Sequence, residues 1–416
     1  MDFFVGIDWG SKNHTVCVVD PEGKPLLEEE VAHRGDAVLA FIDRLLRLAN
    51  NDATRIVAAM ESPHGVMVEA LLERDVATYS INPKQLDRFR DRHSGAGAKD
   101  DDLDAYVLAT SLRTDLQLFR KIALPSAERM LLGALSRSYE ALTEQVLSLS
   151  NQVREQLVRY YPQMLKLGDW HNQPWLWDLF EVAPIPARAM RLSPAKVRAI
   201  LSGYRIRRHD ATAVLETLRQ TPLPVAVGVP EAAATRIEML LPILRASHQQ
   251  RTDCSQKMNA LLSSFQEETD SPEKMHHDAA LLLSLPGIGV HNGAVMLTEA
   301  HSALQQRDYQ AMRRLAGVAP VSKRTGGRTK RPLVQRRQAC NQRLREATYH
   351  WGRVATQRDP RARQHYHELR ARGHSHGRAI RGVIDRLLKV LFAVLKSGLP
   401  YDSSRRICVE NLSLAV

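Results

Sequence analysis

An α/β domain with a mixed sheet, then long helices, then a mostly helical and strongly basic C-terminal region is the architecture this 416-residue sequence predicts. Three observations carry the expectation. Short β-branched segments alternate with helix-periodic ones over residues 1–120. Two long central runs repeat apolar residues three and four apart. Between Lys323 and Arg381, seventeen Lys and Arg face only three acidic residues, the segregation expected where phosphate is bound. The length exceeds one ordinary domain. The expected division is an α/β domain at 1–120, helices at 121–274, a basic domain at 275–402 and a tail at 403–416.

In the N-terminal part, FFVGIDW (3–9) and HTVCVV (14–19) are apolar, β-branched segments joined by GSKN, which predicts a hairpin. GDAVLAFIDRLLRLAN predicts a helix over about 35–49. RIVAAMES then forms a strand with Glu61 at its end. A helix around 66–74, a strand at ATYSIN and a helix at DDLDAYVLATSLRTD follow, the last entered through GAGA. Asp8 and Glu61 thus sit at strand ends, and parallel neighbours would carry both to one edge of a mixed sheet.

Four aspartates (Asp100, Asp101, Asp102 and Asp104) crowd five positions of a chain with formal net charge +12. Such repulsion needs solvent, arginines or a metal ion to offset it. Asp101 and Asp104, three apart, share a helix face, and Asp100 with Asp104 does so almost as well. Carboxylates from three elements would suit a hard divalent cation. Each has a plainer reading too: Asp8 as a turn former, Glu61 as a solvated strand end, the aspartates as a helix cap.

The helical runs cover about 126–164 and 230–268, the second containing Pro242 as an expected kink, and predict a coiled coil or antiparallel bundle with a dimerisation role as a further option. Trp170, Trp175 and Trp177 between them suit burial in a small helical lobe better than base stacking. Cys17, Cys254, Cys340 and Cys408 lack metal-ligand spacing and read as reduced structural thiols. No apolar run has the length of a membrane span and the N-terminus lacks a signal-peptide pattern, so a cytoplasmic protein with no membrane partner is expected.

In the C-terminal part, LPGIG (285–289) between two helices predicts a helix-hairpin-helix element presenting backbone N–H groups to phosphate. Further on, SKRTGGRTKR gathers Ser322, Thr325 and Thr329 around two glycines and several bases. From the residues themselves this is a phosphate-binding loop ahead of a catalytic one.

The strings GIDWGSKNH, AAMESPHG, INPKQLDRFR and AKDDDLDAYVLA resemble the acidic-tetrad domain of IS110-family transposases, which are RNA-guided recombinases. LPGIG, LAGVAP, a hydroxyl residue before Gly-Gly and the ending VLKSGLPYD resemble the transposase domain of the same family. The resemblance covers roughly 1–120 and 275–402. It implies a RuvC-like, RNase H-type fold for the first domain and fixes the aspartate register on Lys99, Asp101, Asp104 and Ala105. Asp8, Glu61, Asp101 and Asp104 then become the metal-holding tetrad, with Mg²⁺ (or Mn²⁺) as the cofactor. The family's nucleophile is usually a serine, and here Thr325 stands in its place, with Ser322 three residues earlier as the other candidate and an impaired copy as a third option.

The same resemblance implies a composite active site, donor and target double-stranded DNA as substrates, a structured guide (bridge) RNA as specificity partner and a dimer that assembles to a tetramer. Lys99, Arg324, Gly326, Arg328, Lys330, Arg343 and Arg345 are the expected nucleic-acid contacts. Two rival classes are a metal-dependent Holliday-junction-type nuclease using water and a non-catalytic nucleic-acid-binding scaffold.

Overall fold

The computed structural model describes residues 1–93, 101–267, 274–323 and 333–403. The chain divides into one unit over Met1–Ser126 and another over Ala127–Val416.

The first unit is built on a six-stranded mixed sheet. Its strands are β1 (Phe3–Asp8), β2 (Asn13–Val19), β3 (Pro25–Ala32), β4 (Ile56–Met60), β5 (Ala77–Ser80) and β6 (Arg120–Lys121), in the order β3-β2-β1-β4-β5-β6. β1, β4 and β5 are parallel neighbours, and the remaining pairs are antiparallel. The helices are α1 (Gly35–Leu48), α2 (Val66–Glu73), α3 (Pro83–His93) and α4 (Asp101–Thr114). This arrangement is compatible with an RNase H-like fold.

Period-two alternation separates two cores across the sheet. Val5, Ile7, Ala58 and Met60 pack with Val38, Phe41 and Leu45 of α1 and with α2. Phe4, Cys17, Val57 and Ala59 pack instead with Ala105, Leu108 and Leu112 of α4. The predicted hairpin and the first helix are present. β3 and α3 were not predicted: β3 reads PLLEEEVA, whose three consecutive glutamates hide its alternation on the sheet edge. Burial pushes the Cys17 thiol up to about 12, with Glu28 adding to the effect, so it is an inert core thiol.

Among its described residues the second unit is helical apart from one hairpin. α5 (Ala127–Tyr160) leads to a lobe of α6 (Pro174–Val182), α7 (Pro186–Ala189), α8 (Pro194–Gly203) and α9 (Ala211–Leu218), then to α10 (Val229–Glu267). Next come α11 (Lys274–Leu283), α12 (Val290–Glu299), α13 (His301–Gln305), α14 (Tyr309–Leu315), β7 (Pro320–Lys323) and β8 (Leu333–Arg336). α15 (Gln342–Arg358), α16 (Pro360–Ala371) and α17 (His376–Ser397) complete it.

α5 and α10 lie antiparallel: Cys254 Sγ, late in α10, reaches the Leu135 carbonyl early in α5 at 3.0 Å, while Val153 and Leu157 pack with Ile237 and Leu241. Trp170, Trp175 and Trp177 are buried in the lobe, and Trp177 Nε1 donates to the Trp170 carbonyl at 2.9 Å. Among the described residues no helix is long and apolar enough to cross a membrane.

α4 lies close against β1 at Gly6. A Cβ there would collide with the Ala105 carbonyl and the Ala109 amide, and would come to 2.9 Å from Leu108 Cβ. Gly6→Ala is therefore expected to lift α4 from the sheet and cost about 3 kcal/mol. Urea denaturation should show a lowered midpoint, while Gly35→Ala, with open space around it, should leave the midpoint nearly unchanged.

Candidate active site

Strand pairing brings the first two carboxylates together. β1 and β4 run parallel with Ile7 opposite Met60, so Asp8 and Glu61 come next on adjacent strand ends. Asp8 is in step with Phe4 and Gly6, which places it on the α4 side of the sheet. α4 runs back along β1: Arg113, near its C-terminus, donates to the Pro21 carbonyl at 2.9 Å, beyond the opposite end of the β1–β2 pair. Its first turn, with Asp101 and Asp104, therefore lies at the Asp8 end. Glu61 and Asp101 are exposed, Asp8 is half-buried and Asp104 is buried.

Asp104 is held by a guanidinium from α3. Arg90 Nε meets Oδ1 at 2.5 Å and Arg90 Nη2 meets Oδ2 at 2.7 Å, a bidentate pair. Arg90 also reaches Asp87 at 2.9 Å. Its pKa is raised, first by the bond to Asp104. Among the described residues no three His, Cys, Asp or Glu side chains are gathered into a ready metal-holding group. The structure thus brings four carboxylates to one edge without closing them into a cluster. By donor chemistry Asp8, Glu61 and Asp101 offer the carboxylate oxygens that a hard divalent cation takes, whereas both oxygens of Asp104 are engaged by Arg90.

The second unit places the other predicted residues. β7 and β8 form a two-stranded ladder with Ser322 opposite Val334 and Lys323 opposite Leu333. Lys99, Arg324, Thr325, Gly326, Arg328 and Lys330 lie outside the described residues. The base of the hairpin is tied down where the Asn341 amide donates to the Leu315 carbonyl at 2.9 Å. Arg353, Arg358, Arg361, Arg370 and Arg378 are exposed on α15, α16 and α17, as is Arg372 just after α16.

Arg343 departs from its expected place as a phosphate contact. Its Nε donates to Glu140 at 2.7 Å and its Nη2 to Ser136 Oγ at 2.7 Å, while Nη1 pairs with Glu299. Glu299 also accepts from Asn341 Nδ2 at 2.7 Å. Arg343 is therefore a cross-link between α5, α12 and α15, with its donors engaged inside the protein. Arg345 makes a 3.1 Å pair with the exposed Glu346. The LPGIG turn packs on α15: the Pro286 carbonyl accepts from Trp351 Nε1 at 3.0 Å, and a Cβ on Gly287 (φ +84°) would meet the Ala355 amide at 3.1 Å. Sequence reasoning missed Arg90, Glu140 and Glu299, since long-range ion pairs leave no local periodicity.

Removing Arg343 leaves Glu140 and Glu299 facing each other without their shared cation. Arg343→Met is expected to destabilise the protein by about 3 kcal/mol, and Arg345→Ala by less than about 1 kcal/mol, both read by chemical denaturation.

Comparison with known proteins bears on the same two regions. A DEDD-type family profile described as "Transposase" matches residues 5–162, and the profile "Transposase IS116/IS110/IS902 family" matches residues 279–367. The chain is 40% identical over 209 residues to the "Putative transposase y4uE" of Sinorhizobium fredii, a match covering 50% of this chain and 58% of that relative. It is 30% identical over 415 residues to the "Mini-circle putative transposase for IS117" of Streptomyces coelicolor, covering 97% of this chain and 96% of the relative. The "Insertion element IS110 uncharacterized 43.6 kDa protein" of the same organism is 24% identical over 412 residues, covering 98% of this chain and 97% of the relative. With near full-length similarity at this level, the chain belongs to the IS110/IS116/IS902 family of transposases, enzymes of DNA recombination.

Proposed function

We propose that this chain is the transposase of an insertion element, cutting and exchanging strands between donor and target DNA through a protein hydroxyl, with a carboxylate edge beside the scissile phosphate. The observation that carries the reading is the delivery of Asp8, Glu61, Asp101 and Asp104 to one end of the sheet. A basic chain gains nothing in stability from assembling four carboxylates, and the family's DEDD domain supplies the reason for them.

The hydroxyl oxygen of Thr325 bonds to phosphorus as a phosphorus–oxygen bond to deoxyribose breaks, and the released oxygen takes up a proton. Ser322 is the second candidate, with its main chain paired in the β7–β8 ladder. Arg324, Arg328 and Lys330 hold the phosphate and stabilise its transition-state charge. Asp8, Glu61, Asp101 and Asp104 would hold a divalent cation, which when bound neutralises phosphate charge and orients the scissile strand. Lys99, Gly326 and Arg345 contribute contacts to the nucleic acid. The exposed arginines of α15–α17 form the face for DNA and for a structured guide RNA that selects sequence. Exchange between two duplexes requires more than one active site, which favours a dimer that pairs into a tetramer.

Covalent trapping tests the mechanism. Protein, element RNA, labelled donor and target DNA and Mg²⁺ are mixed, denatured and run on a gel, for wild type and for Thr325→Ala, Ser322→Ala and Asp101→Ala. The expected result is an adduct that disappears in Thr325→Ala, persists in Ser322→Ala and falls at least about a hundredfold in Asp101→Ala. Strand cleavage with no adduct in any lane would replace the covalent mechanism by hydrolysis with water.

A further inference from the structure

One exposed side chain has no part in this chemistry so far. Of the five tryptophans in the chain, Trp170, Trp175, Trp177 and Trp351 are 3% exposed or less, whereas Trp9 is 50% exposed. Trp9 follows Asp8 directly, in the four-residue turn between β1 and β2. A single exposed apolar side chain usually needs no explanation. This one stands at the same end of the sheet as Asp8 and next to it in sequence.

The turn is held in place. A Cβ on Gly10 would collide with the Asn13 carbonyl, so only glycine allows so tight a path. The Lys12 carbonyl accepts from the His33 amide at 2.7 Å, and Asn13 Nδ2 donates to Glu30 at 2.8 Å. Beneath the indole, the buried His14 ring lies 6.4 Å away, tilted by 49°. Trp9 is thus presented from a pinned hairpin, with the exposed Ser11 and Lys12 beside it.

A cation held on this edge would engage only the phosphate of a strand lying there, which leaves the base without an anchor of its own. A π-face provides one, because base–aromatic stacking tolerates any base. We propose that Trp9 is a base-stacking anchor for an unpaired nucleotide of the DNA strand lying along the Asp8–Glu61 edge, with Lys12 gripping the adjacent phosphate. The proposal rests on the reading of this edge as a DNA-processing site.

The test uses the full-length protein with Mg²⁺ and a mixed-sequence single-stranded oligodeoxynucleotide, its affinity followed by fluorescence anisotropy and Trp9 followed by acrylamide quenching of intrinsic emission. Trp9 is the acrylamide-accessible indole among the five, so its shielding is read directly. DNA is expected to shield Trp9 in the wild type. Trp9→Ala should lose the accessible signal and bind about tenfold more weakly with an unchanged salt slope, and Trp9→Phe should recover most of the affinity. Lys12→Ala should lower the salt slope by about one phosphate. Equal affinity of wild type and Trp9→Ala, or shielding by an oligoribonucleotide alone, overturns the proposal while leaving the transposase reading intact. Failure of the wild type to bind any DNA overturns both.

Discussion

The seating of α4 on Gly6 is the contact on which the placement of the first unit's carboxylates depends. With no side chain on Gly6, the helix backbone lies directly against β1, and the helix runs so that its acidic first turn reaches the strand's C-terminal end. Parallel pairing of β1 with β4 supplies the other half by bringing Glu61 beside Asp8. The carboxylates come from segments far apart in sequence, and strand pairing with the direction of α4 carries them to the same end of the sheet without gathering them into a cluster.

Guanidinium–carboxylate pairing recurs in both units with different consequences. In the first, Arg90 takes both oxygens of the buried Asp104, relieving the repulsion that crowding would impose. In the second, Arg343 joins three helices through Glu140, Glu299 and Ser136. The positions differ in surroundings more than in residue type. The exposed arginines of α15–α17 keep their charge at the surface, where phosphate can reach it.

Local signals were legible in the sequence. The hairpin, the first helix, the two long helices and the burial of the three clustered tryptophans follow from periodicity and turn chemistry, and Asp8 and Glu61 were recognisable as strand-end acids. What escaped was non-local or masked by charge. β3 carries Glu28, Glu29 and Glu30 in succession and lacks visible alternation. α3 is rich in Arg and Asp, so its short apolar face of Leu86 and Phe89 was easily overlooked. The internal engagement of Arg343 depends on partners more than forty residues away along the chain. The antiparallel partnership of α5 and α10 is plain, and among the described residues both helices pack into the cores of the second unit along with its other helices.

In the proposed function Asp8, Glu61, Asp101 and Asp104 act as one cation-binding edge. Calorimetric titration of Mn²⁺ into the full-length protein checks this by comparing wild type with Asp8→Asn, Glu61→Gln and Asp101→Asn. Saturable binding is expected in the wild type, weakened at least about tenfold by each substitution, because each removes an oxygen donor from the same site. Binding that is equal in all four proteins, or absent from the wild type while the protein still cuts DNA, would contradict it.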